Sequence, residues 1–259
     1  CINGKSHSRI LLVNVFCIKQ NKCQLNFLGV TMIQVIAFDV YGTLLNVHSI
    51  QLILEKHLPG NGMQASTIIR DKQIEYTRIY TMSQNRIPYV NFMDLTISAI
   101  KYTFQYFGKE LDDKQFKEIV ECYKKLDAFS EVRSVLNQLN EQNIKFVVLS
   151  NANEEMLRET LANSGLVDVF SNVFSAASIP TFKTDHRVYS MVSDHFNCSL
   201  KDCLLVSSNY WDILGGGWAG MKTFWVNRHS LPRDPLNYSP TYEGKSLDDL
   251  MQTIQTMNI

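Results

Sequence analysis

The chain carries no excess charge of either sign: 25 Lys and Arg are balanced by 25 Asp and Glu in 259 residues. No net field draws it to nucleic acid or to an anionic membrane. It has no C-x-x-C pair. Its six cysteines, at positions 1, 17, 23, 122, 198 and 203, follow no zinc-ligand spacing. That leaves buried thiols in a reducing cytoplasm. No apolar run is long enough to span a bilayer. Residues 10–18 come nearest, behind Lys5 and Arg9, and imitate a secretory leader. They are short, broken by Asn14, and lack a clear small-residue cleavage site. Residues 1–31 are therefore read as an upstream extension or translation artefact ahead of Met32, with an added edge strand as the alternative. No internal repeat or low-complexity linker occurs. With 45% hydrophobic and 19% charged residues, the chain can build one large domain or two smaller ones.

The stretch Val35-Ile36-Ala37-Phe38-Asp39-Val40-Tyr41-Gly42 organises the rest. A short apolar run that meets a turn signal predicts a strand buried on both faces. Asp39 then stands at its carboxyl end, where open α/β sheets bind ligands. An acid there is a helix cap, a metal ligand or a nucleophile. Residues 67–80, 91–107 and 113–126 show helical spacing; in the last, Phe116, Ile119, Val120 and Tyr123 recur at three and four. Strand-helix alternation resumes after residue 128. Ser130 is placed to cap a helix carrying Val132, Val135, Leu136 and Leu139. Strands are predicted at 145–149, 173–175, 203–206 and 223–226. Helices are predicted at 154–164 before Gly165, around Val188 to Phe196, toward Gly220, and at 247–257. The fold class is α/β: a Rossmann-like parallel sheet with helices on both faces, from residues 32–46 and 128–259, plus an inserted α-helical cap from residues 47–127.

Three strands thus end in polar residues: Asp39, then Ser150-Asn151, then Ser207-Ser208-Asn209 with Asp212. Lys183 lies in the connection between the second and third. Each alone reads as a cap or a solvated charge, but a parallel sheet gathers them into one crevice. Here the sequence resembles the haloacid dehalogenase superfamily, and within it the (S)-2-haloacid dehalogenases of the L-2-haloacid type. The resemblance runs over about residues 33–228. It rests on Ala37-Phe38-Asp39-Val40-Tyr41-Gly42-Thr43-Leu44, on Arg70-Asp71-Lys72-Gln73-Ile74-Glu75-Tyr76-Thr77, on Leu149-Ser150-Asn151, on Lys183 with Arg187-Val188-Tyr189, and on Val206-Ser207-Ser208-Asn209-Tyr210-Trp211-Asp212.

The rival within the superfamily is a magnesium-dependent phosphatase. Attack on a phosphate monoester sets anion against anion and expels an alkoxide, so it needs a metal and a proton donor. Phosphatases of the superfamily resemble Asp-x-Asp, and here the second position is Tyr41. Where they pair acids in the last motif, Ser207, Ser208 and Asn209 stand, leaving Asp212. Displacement of halide from carbon needs neither metal nor acid. The resemblance implies an ester on Asp39, inversion at C2, and hydrolysis to a 2-hydroxyacid, with no cofactor. Lys183 would keep the buried carboxylate ionised. Thr43, Ser207 and Asn209 would orient it, and Asp212, with Asn209, would position or activate water. Arg70 and Asn151 would receive the halide. Ser150 and amides near Tyr41 would hold the substrate carboxylate, and Tyr41, Ile74, Phe92 and Trp211 would wall its alkyl side. Tyr189 matches a family position near Lys183. His48 reads as structural. The partner implied is a small 2-haloacid, with no nucleic acid and no membrane. Homodimers are frequent in the family, and no apolar patch in the sequence marks one. Four departures stand out: Thr184 where Pro is usual, which should loosen the lysine's loop; Asn46 for a frequent Asp; three glycines at 215–217 where a helix is expected; and two extra residues near Ile87-Pro88, which lengthen a cap connection. A reading of another class is an inactive protein of this fold whose cap binds a partner.

Overall fold

The computed structural model describes residues 32–84 and 86–256; the expectations for residues 1–31 lie outside them. Val35–Phe38 forms β1, with all four side chains buried. Ile36 and Phe38 join the larger apolar core on one face of the sheet, and Val35 and Ala37 join a second core on the other. A strand alternates its side chains between faces, so a continuous apolar run is what a strand covered on both sides requires.

Before the next strand come α1 (Gln51–His57), α2 (Gly62–Met82), α3 (Phe92–Tyr106), α4 (Asp113–Tyr123) and α5 (Val132–Glu141). Reciprocal capping boxes start α3, through Asn91 and Asp94, and α4, through Asp112 and Gln115. Then follow β2 (Phe146–Ser150), α6 (Glu154–Asn163), β3 (Val173–Ser175), α7 (His186–Phe196), β4 (Cys203–Ser207), α8 (Tyr210–Ala219), β5 (Lys222–Val226), β6 (Tyr242–Gly244) and α9 (Leu247–Thr256). The sheet order is β3-β2-β1-β4-β5-β6, and every neighbouring pair is parallel. The chain walks from β1 outward through β2 and β3, then returns to the other side of β1. That reversal opens a crevice between the carboxyl ends of β1 and β4. Phe38 lies opposite Val206, so Asp39 emerges level with Ser207.

The sequence left α1 and β6 unassigned and began α2 late. β6 is a three-residue edge strand, Tyr-Glu-Gly, without an apolar signature. Ser130 does not cap α5: it is exposed, and Glu131 holds the N-cap position without a side-chain cap bond. The Glu131 carboxylate is engaged by Arg228 instead. Nor is the loop at Thr184 loose. The Lys183 amide donates to Asn151 Oδ1 at 2.7 Å, and Asp185 caps α7 by accepting from the Arg187 amide at 3.0 Å.

The glycine run has a packing reason. α8 lies close against α7, β4 and β5. A Cβ on Gly215 would meet the Tyr189 hydroxyl and stand 2.9 Å from Thr184 Cβ; on Gly216 it would meet Leu205, and on Gly217 the Tyr238 ring. Helix propensity is sacrificed here for close approach. Gly215→Ala therefore lowers stability by about 1–2 kcal/mol, although alanine favours a helix by about 1 kcal/mol. Urea unfolding checks this; a raised midpoint would show that α8 has room to spare.

Candidate active site

After β1 the backbone turns sharply. The amides of Thr43, Leu44 and Leu45 all donate to the Val40 carbonyl, at 3.2, 3.0 and 3.0 Å. The turn needs a positive φ at position 42, and Gly42 supplies it at +96°. It folds the Thr43 hydroxyl back onto Asp39, donating to Oδ2 at 2.8 Å. The Thr43 oxygen in turn accepts from the Ser208 amide at 2.8 Å, which leaves its proton directed at the carboxylate.

Asn209 opens α8. An Asn at an N-cap ordinarily accepts from the first amides of its helix, but Asn209 makes no such bond. Its Nδ2 donates to Asp39 Oδ2 at 2.8 Å and to the Tyr41 carbonyl at 3.1 Å, while its Oδ1 accepts from Arg70 Nη2 at 3.2 Å. Arg70 also donates to the Tyr41 carbonyl, at 2.9 Å. The guanidinium thus sets which end of the Asn209 amide faces Asp39.

The other Asp39 oxygen, Oδ1, accepts from Lys183 Nζ at 3.1 Å, and the same ammonium donates to Asp212 Oδ2 at 2.9 Å. Asp212 Oδ1 accepts from the Tyr189 hydroxyl at 2.9 Å. Asp39 is 5% exposed, Lys183 1% and Asp212 0%. Burial works against the Lys183 ammonium, yet Asp212 and Asp39 outweigh it, and its pKa is raised. Burial also raises the Asp212 pKa, aided by the Asp39 charge and opposed by Lys183 and Tyr189. Burial and the Asp212 charge lift Tyr189 well above the ordinary phenol value, so it stays a hydrogen-bond donor.

The remaining predicted side chains have the following partners. Ser207 Oγ accepts from the Asn209 amide at 3.1 Å and is not bonded to Asp39. Asp212 is linked to Asp39 through Lys183, and only its amide meets Asn209, at the carbonyl, 2.9 Å. Arg70 and Asn151 share no bond: Asn151 Oδ1 is held by the Lys183 amide, and its Nδ2 makes no protein bond among the described residues. Ser150 Oγ accepts from the Ala152 amide at 3.2 Å. Tyr41 and Phe92 are buried, with rings 5.9 Å apart, and the Tyr41 phenol is bonded to Thr160. Ile74 is buried on α2. Trp211 is half-buried under Arg78. His48 Nδ1 is bonded to Ser66 Oγ at 2.8 Å.

Sequence reasoning missed four supports: the Ser208 amide on Thr43, Thr160 on Tyr41, Trp225 Nε1 donating to the Ser208 carbonyl at 3.1 Å, and Arg228 Nη2 donating to the Thr43 carbonyl at 3.0 Å. Only Arg228 carried a signal, as a charge just beyond a predicted strand beside β4.

A lysine with a raised pKa contributes stability that is complete below its ordinary value of 10.5 and lost as pH rises through the raised one. The wild-type chain therefore keeps this contribution at neutral pH and loses it only in strong alkali. Lys183→Met removes it throughout and leaves two buried carboxylates facing each other, at a cost of about 3–5 kcal/mol at pH 7 that shrinks on acidification. Urea unfolding of both proteins across pH measures the difference; a loss independent of pH would contradict the assignment.

The sequence pattern of the haloacid dehalogenase-like hydrolases matches residues 33–220. The chain is 33% identical over 221 residues to the (S)-2-haloacid dehalogenase of Pseudomonas sp. (strain YL), covering 85% of this chain and 94% of that protein. A crystal structure of an L-2-haloacid dehalogenase, 34% identical, superposes with a TM-score of 0.85 over 87% of this chain and all (100%) of that one. The L-2-haloacid dehalogenase of Xanthobacter autotrophicus, solved with chloropropionic acid covalently bound, superposes with a TM-score of 0.81 at 26% identity, over 87% of this chain and 100% of that one. The chain belongs to the haloacid dehalogenase superfamily, in its (S)-2-haloacid dehalogenase family.

Proposed function

We propose that the chain hydrolyses short (S)-2-haloalkanoic acids to (R)-2-hydroxyalkanoic acids and halide through an ester on Asp39. The observation that carries this reading is the Asp39 carboxylate itself. It is buried at a strand end, with one oxygen held by Thr43 and Asn209 and the other by Lys183 alone. Desolvation strengthens a carboxylate as a nucleophile, and the adjacent Lys183 ammonium compensates its buried charge.

Oδ1, with the less crowded oxygen face, attacks C2 from the side opposite the halogen and inverts it. The halide leaves as a stable anion and takes no proton. Arg70 and the Asn151 amide stabilise the charge it gains. In the resulting ester Oδ2 is the carbonyl oxygen. Thr43 and Asn209 already donate to it, so they stabilise the oxyanion when water attacks the Asp39 carbonyl carbon. Asp212, whose pKa burial has raised, takes the water proton as general base. The Cγ–Oδ1 bond of the ester then breaks while the C2–oxygen bond survives, and the departing oxygen takes the proton back from Asp212; the product hydroxyl oxygen therefore comes from Asp39, the water oxygen stays in the Asp39 carboxyl group, and the second water proton passes to solvent. Residues 47–127 act as a cap over the core of residues 32–46 and 128–259, with Arg70 on α2 reaching the nucleophile's turn. No helix among the described residues is long and apolar enough to cross a membrane, and Cys122, Cys198 and Cys203 are free thiols. The free thiols suit a reducing, cytoplasmic compartment.

Brief mixing with (S)-2-chloropropionate in EDTA yields an adduct on the peptide carrying Asp39, and chloride and lactate accumulate. A single turnover in heavy-oxygen water labels Asp39 rather than lactate. Label in the lactate hydroxyl would point instead to direct attack by water. Asp39→Asn lowers turnover by about 10³-fold or more. Phosphate release that depends on magnesium, with no halide release, would replace this reading by the phosphatase one. Arg70→Lys, which loses the Nη2 group that donates to both Asn209 Oδ1 and the Tyr41 carbonyl, lowers kcat by about 10²-fold with a smaller change in KM. Steady-state kinetics checks it; equal loss through KM alone would make Arg70 a binding group only.

A further inference from the structure

A cavity of about 210 Å³ adjoins the reaction centre, and Arg70 and Asn209 form part of its wall. Its lining includes two arginines, Arg70 and Arg228, and two histidines, His48 and His229, but no Asp or Glu. Glu131 engages Arg228. Arg70 is different: both groups it bonds, the Tyr41 carbonyl and the Asn209 amide oxygen, are neutral. Two buried polar atoms in the lining residues, Ser208 Oγ and Arg228 Nε, have no partner among the described residues. His229 is exposed and His48 half-buried; burial and the neighbouring Arg70 lower the His48 pKa, so the fixed positive charges of the lining are Arg228 and Arg70. A water occupies about 30 Å³, which leaves room for a small anion with part of its hydration shell.

We propose that this cavity is an anion vestibule that holds a small monovalent anion beside the reaction centre, on the side of Arg70 reached through His48, Arg228 and His229. A released halide and the carboxylate of a 2-hydroxyacid share that chemistry. Naming those two anions rests on the proposed dehalogenation; the site itself rests on the cavity, its charges and its unpartnered donors. Cationic walls without carboxylates raise the local anion concentration and shorten the route of a charged group between solvent and Arg70.

The test uses the wild-type protein labelled with ¹⁵N at histidine and needs no turnover. Sodium bromide is titrated against sodium fluoride at constant ionic strength, and sodium (R)-lactate is titrated in parallel. Saturable shifts of both the His48 and His229 rings are expected, and the His48 midpoint, held low by burial and Arg70, moves up because a bound anion favours the imidazolium. The titratable groups facing the His48 ring are Arg70, His229 and Asp71, and Arg228, paired with Glu131, shares the cavity lining with His229. A response to bromide alone assigns the site to halide, and one to lactate alone assigns it to the carboxylate. His229→Gln, read at His48, raises half-saturating bromide about threefold or more. Flat titrations with both anions overturn the proposal. So does a shift at His48 without one at His229, which would place the anion on the catalytic side of Arg70. An enzyme that dehalogenates yet shows flat titrations loses the vestibule and keeps its function; saturable shifts without dehalogenation do the reverse.

Discussion

One buried ammonium ties the centre of this molecule together. Lys183 Nζ lies between Asp39 and Asp212, and none of the three is more than slightly exposed. Three charges in so dry a place are sustainable only if each is satisfied in full. Asp39 uses Thr43 and Asn209 for its second oxygen, and Asp212 uses Tyr189. Removing any one partner leaves the others with a charge they cannot hydrate. The surrounding framework is therefore built to tight tolerances: Asn151 grips the Lys183 amide, Ser208 fixes the Thr43 hydroxyl, and α8 is stripped of side chains where it meets Tyr189 and Thr184.

The same economy of side chains runs through the surroundings of Asp39. Asn209 stands where a helix wants a cap and gives its amide to Asp39 instead. Ser207 supports the backbone of Asn209 rather than the carboxylate. Arg70 reaches from α2 to orient Asn209, so a helix that precedes β2 fixes a group at the start of α8. The Arg70 charge thereby selects the amide rotamer that faces Asp39. Local stability is given up at Asn209 and in the glycine run, a pattern expected at functional sites.

Much of the fold was legible in the sequence because each core strand is a short apolar run that ends in polar residues. β1, β2, β4 and β5 fell close to their predicted bounds. β6 did not, because Tyr-Glu-Gly pairs at the edge through backbone bonds that leave no hydropathy signal. Ser130 misled because a serine before an apolar run fits an N-cap, whereas Glu131 holds that position and is engaged by Arg228, 97 positions away. The glycines read as a weakness when only helix propensity was weighed, and as a fit once Tyr189, Thr184, Leu205 and Tyr238 were seen against them.

The sequence by itself determined the α/β class, the strand-end position of Asp39, and the set of polar residues that a parallel sheet must bring toward it. Those follow from periodicity, which is local and therefore written in the chain. Only the tertiary structure decided how that set is wired. Lys183 joins Asp39 to Asp212, Ser207 turns to Asn209, Arg70 pairs with Asn209 and not with Asn151, and Arg228 and Trp225 brace the turns from strand β5 and its end. Hydrogen-bond partners are chosen by side-chain direction and by competition among donors brought together from distant parts of the chain, and no spacing along a sequence encodes that choice.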